Sequence, residues 1–96
     1  MGTASVAAQD TRNTLKESNS IEGLSFYPNP VTGGKLYITT RANEEKNITI
    51  YDVLGKKVFQ TVLSSRELNL STLQPGVYFI KIEEVEASAT RKLIVR

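Results

Sequence analysis

Three observations predict an all-β fold. From Leu24 onward, apolar residues recur with period two or in short runs. Each run is bounded by Gly, Pro, Asn, Asp or Ser turn signals. No stretch keeps helical periodicity long enough to stand as a helix. Seven such runs in a chain of 96 residues close most naturally as a seven-stranded immunoglobulin-like β-sandwich, preceded by a disordered N-terminal tail.

Bulk properties narrow the functions. A chain of 96 residues is one domain, able to bury roughly 60–65% of its unfolded surface, and too small for a large catalytic cleft. The net charge of +2 is mild and its acids and bases are interleaved, which argues against a nucleic-acid surface. With no cysteine there is neither disulfide nor thiolate metal site. With no histidine, the commonest metal ligand and the usual base near neutral pH are missing. No cofactor and no metal are expected. No apolar run of 18 residues exists, so no helix is expected to span a membrane. Met1 to Asp10 lacks the charged start and apolar core of a secretory leader. Met1-Gly2 reads as an added start, so the expected context is a longer protein.

Residues 1–22 are small and polar and read as a flexible linker or tail. Thr11 to Glu17 could form one helical turn, but Leu15 is its only large apolar residue. Arg12 and Lys16 against Asp10, Glu17 and Glu22 leave this segment at −1 and the remainder, residues 23–96, at +3. The folded domain is therefore expected over 23–96.

Leu24 to Tyr27 is a short strand, ended by Pro28-Asn29-Pro30, since proline donates no ladder hydrogen bond and restrains its predecessor. Thr32-Gly33-Gly34 turns the chain. Lys35 to Thr40 alternates, with Leu36 and Ile38 on one face. Ala42 to Lys46 reads as a charged loop. Asn47 to Tyr51 places Ile48 and Ile50 inward. Asp52 to Gly55 is a turn in which Asp bonds the following amides and Gly supplies positive φ. Lys57 to Leu63 completes that hairpin. Glu67 to Leu70 turns Leu68 and Leu70 inward, and Ser71 to Pro75 is a corner. In Gly76 to Glu84, Tyr78, Ile80 and Ile82 share one face; Val77, Phe79 and Lys81 share the other. Leu73-x-Pro75-Gly76-x-Tyr78 has the pattern of a tyrosine corner, a phenol bonded back to backbone. After a turn at Val85 to Ala87, Ser88 to Val95 is the last strand, with Leu93 and Val95 inward and Lys92, Ile94 and Arg96 outward.

No constellation carries catalysis. The triad base is missing. Ser64-Ser65 sits in a turn with no apolar pocket near it in sequence. Glu44-Glu45 and Glu83-Glu84 fall on loops or strand ends and read as solvated charges. Asp52 stands alone where calcium would want several oxygens. The chain is not expected to be an enzyme.

The ordered set Tyr27-Pro28-Asn29-Pro30, I-T-I-Y-D-V-L-G-K-K-V from Ile48, L-x-P-G-V-Y-F-I-K-I from Leu73 and K-L-I-V-R from Lys92 resembles the type A C-terminal sorting domain of the type IX (Por) secretion system. The resemblance covers about residues 24 to 96. Its motifs fall on Pro28, Asn29 and Pro30; on Gly76 and Tyr78; and on Lys92, Leu93, Ile94, Val95 and Arg96. Arg96 stands where lysine is common, which keeps charge but alters donor geometry. The resemblance implies an immunoglobulin-like sandwich at the end of a secreted cargo. Its implied task is to carry an N-terminal cargo domain from the periplasm across the outer membrane of Bacteroidetes-type bacteria to the cell surface or the medium. The implied partners are the type IX translocon, shuttle proteins and an outer-membrane sortase that removes the domain and anchors the cargo.

Packing alone accounts for Tyr78, Ile80, Ile82, Leu93 and Val95. It does not account for Val77, Phe79, Lys92, Ile94 and Arg96. If the last two strands are neighbours, Val77, Phe79 and Ile94 form an exposed apolar strip edged by Lys81, Lys92 and Arg96, the mark of a docking surface. Two other readings compete: a carbohydrate-binding or adhesion module of a surface enzyme, and an inert spacer. The first wants exposed aromatics, and there is no tryptophan, with four tyrosines and three phenylalanines partly needed inside.

Overall fold

The computed structural model describes residues 20–96. The helical turn weighed for Thr11 to Glu17 lies outside them. Seven strands follow in order: β1 (Ser25–Tyr27), β2 (Lys35–Thr39), β3 (Lys46–Tyr51), β4 (Lys57–Leu63), β5 (Glu67–Asn69), β6 (Gly76–Glu84) and β7 (Ala87–Val95). All ladder pairs are antiparallel. β1-β2-β5 form one sheet and β4-β3-β6-β7 the other. The expected seven-stranded sandwich is therefore present. The fourth strand stays with the third, because a tight hairpin ties β4 to β3 in register.

Period-two alternation builds the core. Ile48 lies opposite Ile82 and Ile50 opposite Ile80 across β3 and β6, and all four are fully buried. Leu36 and Ile38 of β2 and Leu68 of β5 face them from the other sheet, joined by Leu93 and Val95 of β7. Fully burying such an aliphatic side chain contributes about 1.5–3 kcal/mol. Ile21 packs into the same cluster, and the Arg41 amide donates to the Glu22 carbonyl at 3.0 Å.

The β3–β4 turn works as its residues require. Asp52 Oδ1 accepts from the amides of Leu54 and Lys56, both at 2.9 Å, while Gly55 takes φ 87°. The register shifts here: Ile50 pairs with Phe59 and Tyr51 with Lys57, leaving Val58 as the extra residue of a bulge. At the β6–β7 turn, Glu84 pairs with Ala87, and Val85 sits at φ 54°, a left-handed conformation that β-branched residues rarely take.

Two expectations about charge are corrected. Lys46 is not in a loop but opens β3, and Glu84 is not solvated: their side chains are 2% and 4% exposed. Both lie in phase with the inward isoleucines of their strands, so the backbone pleat drives them inside, where they meet each other. Glu83, on the opposite face, is half-exposed and lies 3.9 Å from Lys81.

Candidate functional site

The β6–β7 pair carries two different faces. On the inner one, the Tyr78 hydroxyl donates to the Gln74 carbonyl at 2.6 Å, the bond of a tyrosine corner at the start of a sandwich strand. A Cβ at Gly76 would meet the Tyr78 ring at 3.7 Å, ordinary contact. Ile80, Ile82, Leu93 and Val95 fill the core behind it.

On the outer face, Val77 lies opposite Ile94, Phe79 opposite Lys92 and Lys81 opposite Thr90. Val77 and Phe79 are each 40% exposed, Ile94 is half-buried, and Lys92 and Arg96 are exposed. These side chains form one contiguous patch with a cationic margin. Sequence reasoning missed Tyr51, which lies opposite Phe79 on β3 and extends the patch across the sheet, with Lys57 as its neighbour on β4. Alternation in I-T-I-Y already put Tyr51 on the outer face; its adjacency to Phe79 needed the β3–β6 pairing.

Pro28-Asn29-Pro30 does more than end a strand. The Asn29 amide Nδ2 donates to the Lys92 carbonyl at 3.0 Å, and the Ile94 amide donates to Asn29 Oδ1 at 2.9 Å. The next residue continues the contact: the Val31 amide donates to the Ile94 carbonyl at 2.7 Å, and the Arg96 amide to the Val31 carbonyl at 2.8 Å. Val31 thus makes a parallel bridge with Val95, and both side chains are buried. The segment before β2 therefore grips the outer edge of β7 along Lys92 to Arg96.

At the opposite end of β6, Glu84 Oε2 accepts from the Thr40 hydroxyl at 2.5 Å, the Glu44 amide at 2.9 Å and Lys46 Nζ at 3.2 Å. Lys46 Nζ also donates to the Glu44 carbonyl at 2.7 Å. Burial pushes the Glu84 carboxyl up, but the bonds from Thr40, Glu44 and Lys46 outweigh it and hold the carboxyl below its ordinary 4.5. This network fastens the β2–β3 loop to the β6–β7 turn.

Among the described residues no group of three His, Cys, Asp or Glu side chains could hold a metal ion, and no helix is long and apolar enough to cross a membrane.

The fold is a small all-β sandwich whose last strand is built into the sheet, gripped at its edge and displayed on its outer face. Residues 25–96 match the family described as the secretion system C-terminal sorting domain, and the chain belongs to it. Family members are sorting signals of the type IX secretion system, not a kind of enzyme. They act with the secretion machinery and mark their proteins for the outer membrane, the cell surface or the medium. No curated protein sequence matches the chain. Among solved structures, the chain is similar to PorZ, an essential bacterial surface component of the type-IX secretion system of the human oral-microbiomic Porphyromonas gingivalis, at 20% identity and a TM-score of 0.58. The match covers 77% of this chain and 11% of that one. At that identity the likeness shows the fold alone.

Proposed function

We propose that this domain directs a cargo attached at its N-terminal side from the periplasm through the type IX translocon. An outer-membrane sortase then cuts it away and the cargo stays anchored at the cell surface. The cut falls in the segment before Leu24 and ahead of Ile21, which the core holds, since a peptidase needs accessible, extended chain. Recognition rests on Val77, Phe79, Lys92, Ile94 and Arg96, while Leu93 and Val95 hold the strand that presents them. The observation that carries this reading is the outer patch: apolar side chains with a cationic margin on a face where packing requires neither.

The test is a fluorescent protein sent to the periplasm with residues 1–96 fused behind it, in a bacterium with type IX machinery. Reporter at the surface or in the medium supports the reading; reporter kept in the periplasm with the domain folded refutes it. Phe79→Ala, Ile94→Ala and Arg96→Ala together should cut export at a temperature where the melting curve of the variant shows it folded.

One feature favours a second reading, a carbohydrate-binding module. Tyr27 is 52% exposed and stacks on Tyr37 at 5.6 Å between ring centroids, beside Arg66 and Glu67. The two tyrosines are directly opposed across β1 and β2, so strand pairing already accounts for the stacking. Polysaccharide binding by the domain that is lost in Tyr27→Ala would favour this second reading.

A further inference from the structure

A free strand at a sheet edge can be read by strand addition, in which a partner's backbone pairs with that edge. β7 is such an edge strand, and it carries the Lys92 to Arg96 motif. Four of its outward-pointing backbone groups there are already taken. Asn29 occupies the Lys92 carbonyl and the Ile94 amide, and Val31 occupies the Ile94 carbonyl and the Arg96 amide. A partner strand would have to displace all four bonds and pull the buried Val31 side chain out of the core. The outer-face side chains of the same residues stay accessible.

We infer that Pro28 to Val31 form a clamp that presents Lys92–Arg96 as a finished strand, and that Asn29 is its positioning residue. The secretion machinery then reads the motif through its outer-face side chains and not through its edge. This rests on the sorting reading above and adds the mode of recognition. The chemistry fits one kind of partner, an apolar groove with an acidic rim, because Val77, Phe79 and Ile94 are bordered by Lys92 and Arg96. Asn29 suits the role by carrying a donor and an acceptor on one short planar group. It stands in for a strand residue where Pro28 and Pro30 have no backbone N–H to offer.

The test locks the clamp shut and, separately, loosens it. Val31 and Val95 are bridge partners with both side chains in the core, and neighbouring strands lie within the Cα range a disulfide spans. Val31→Cys with Val95→Cys should cross-link in the periplasm, scored on non-reducing gels, with each single cysteine variant as control. Asn29→Ala removes two bonds at the surface and leaves the core alone. It should speed hydrogen exchange of the Ile94 amide roughly tenfold. The readout is export of the fused reporter.

The inference expects the cross-linked reporter to be exported as well as the single-cysteine controls. It expects Asn29→Ala to lose export severalfold at a temperature where its melting curve shows it folded, and Asn29→Gln, which keeps donor and acceptor, to regain part of it. Cross-linked reporter held in the periplasm while the single variants pass would show that the strand must be released, and would overturn the inference. Normal export of Asn29→Ala, with Ile94 exchange accelerated, would overturn it too. If the cysteine pair does not cross-link, the Asn29 variants decide alone. Failure of the unmodified reporter to leave the periplasm sinks the sorting reading instead.

Discussion

Replacing Glu84 by glutamine should be the most damaging single-atom-scale change in this domain. The glutamine carbonyl can keep the bonds from Thr40 and Glu44. The Lys46 ammonium, 2% exposed, then has only neutral acceptors, the amide oxygen and the Glu44 carbonyl at 2.7 Å, and no counter-charge. Removing one partner of a buried ion pair costs about 3–5 kcal/mol, and Glu84→Gln should fall near the lower end because it preserves shape. Domains of this size hold only about 5–15 kcal/mol in total. About 3 kcal/mol should lower the melting temperature by more than ~12 °C, at roughly 4–8 °C per kcal/mol. Lys46→Met with Glu84→Gln should recover much of the loss, since a buried pair replaced by neutral groups of similar volume is often close to neutral. Thermal and urea melts of the wild type, both single variants and the double variant give the coupling directly.

The same substitution changes the acid limb. In the folded chain the Glu84 carboxyl lies below its ordinary 4.5. On acidification the unfolded chain takes up that proton first, so stability is fully present above about 4.5 and drains away as pH falls through the folded value. Glu84→Gln should flatten that part of the pH profile. A Glu84→Gln variant that melts within ~2 °C of wild type (under ~0.5 kcal/mol), with the acid limb unchanged, would refute the reasoning.

Val85→Gly should raise stability by roughly 0.5–1 kcal/mol, because glycine relieves the φ of 54° while losing some of the gain to unfolded-chain entropy; a denaturation midpoint at or below wild type would contradict this. Tyr78→Phe should cost about 0.5–1.5 kcal/mol through loss of the 2.6 Å bond to the Gln74 carbonyl, and should leave the outer face and reporter export unchanged. Ile80→Ala should cost about 2–5 kcal/mol, as expected for a fully buried aliphatic side chain, read from urea melts at unchanged slope.

Much of this molecule is legible along the chain. The strands of the β3–β4 hairpin show as alternation, its turn as Asp52 and Gly55, and the corner as Leu73-x-Pro75-Gly76-x-Tyr78. These are local signals, set by neighbours two to five residues apart. Glu84 and Lys46 were legible in one sense only. Each continues the inward phase of its strand, Ile80-Ile82-Glu84 and Lys46-Ile48-Ile50, yet charge by itself speaks for solvent. The conflict resolves only when the two meet across β3 and β6, because burial of either charge is tolerable with the other present and costly without it.

Alternation along one strand also assigns every outer-face residue to its face. It cannot make a surface of them. Tyr51, Phe79 and Lys92 become neighbours through the β3–β6 and β6–β7 registers, which depend on how all four strands share one core. The grip of Asn29 on β7 lies further still from local sequence, since its partners are 63 and 65 residues away. The sequence by itself determined seven strands, their inward faces and their turns, because those follow from pleat period and turn chemistry. Only the tertiary structure decided that Pro28 to Val31 close the edge of the last strand, because a backbone hydrogen bond between distant segments exists only once the core has brought them together.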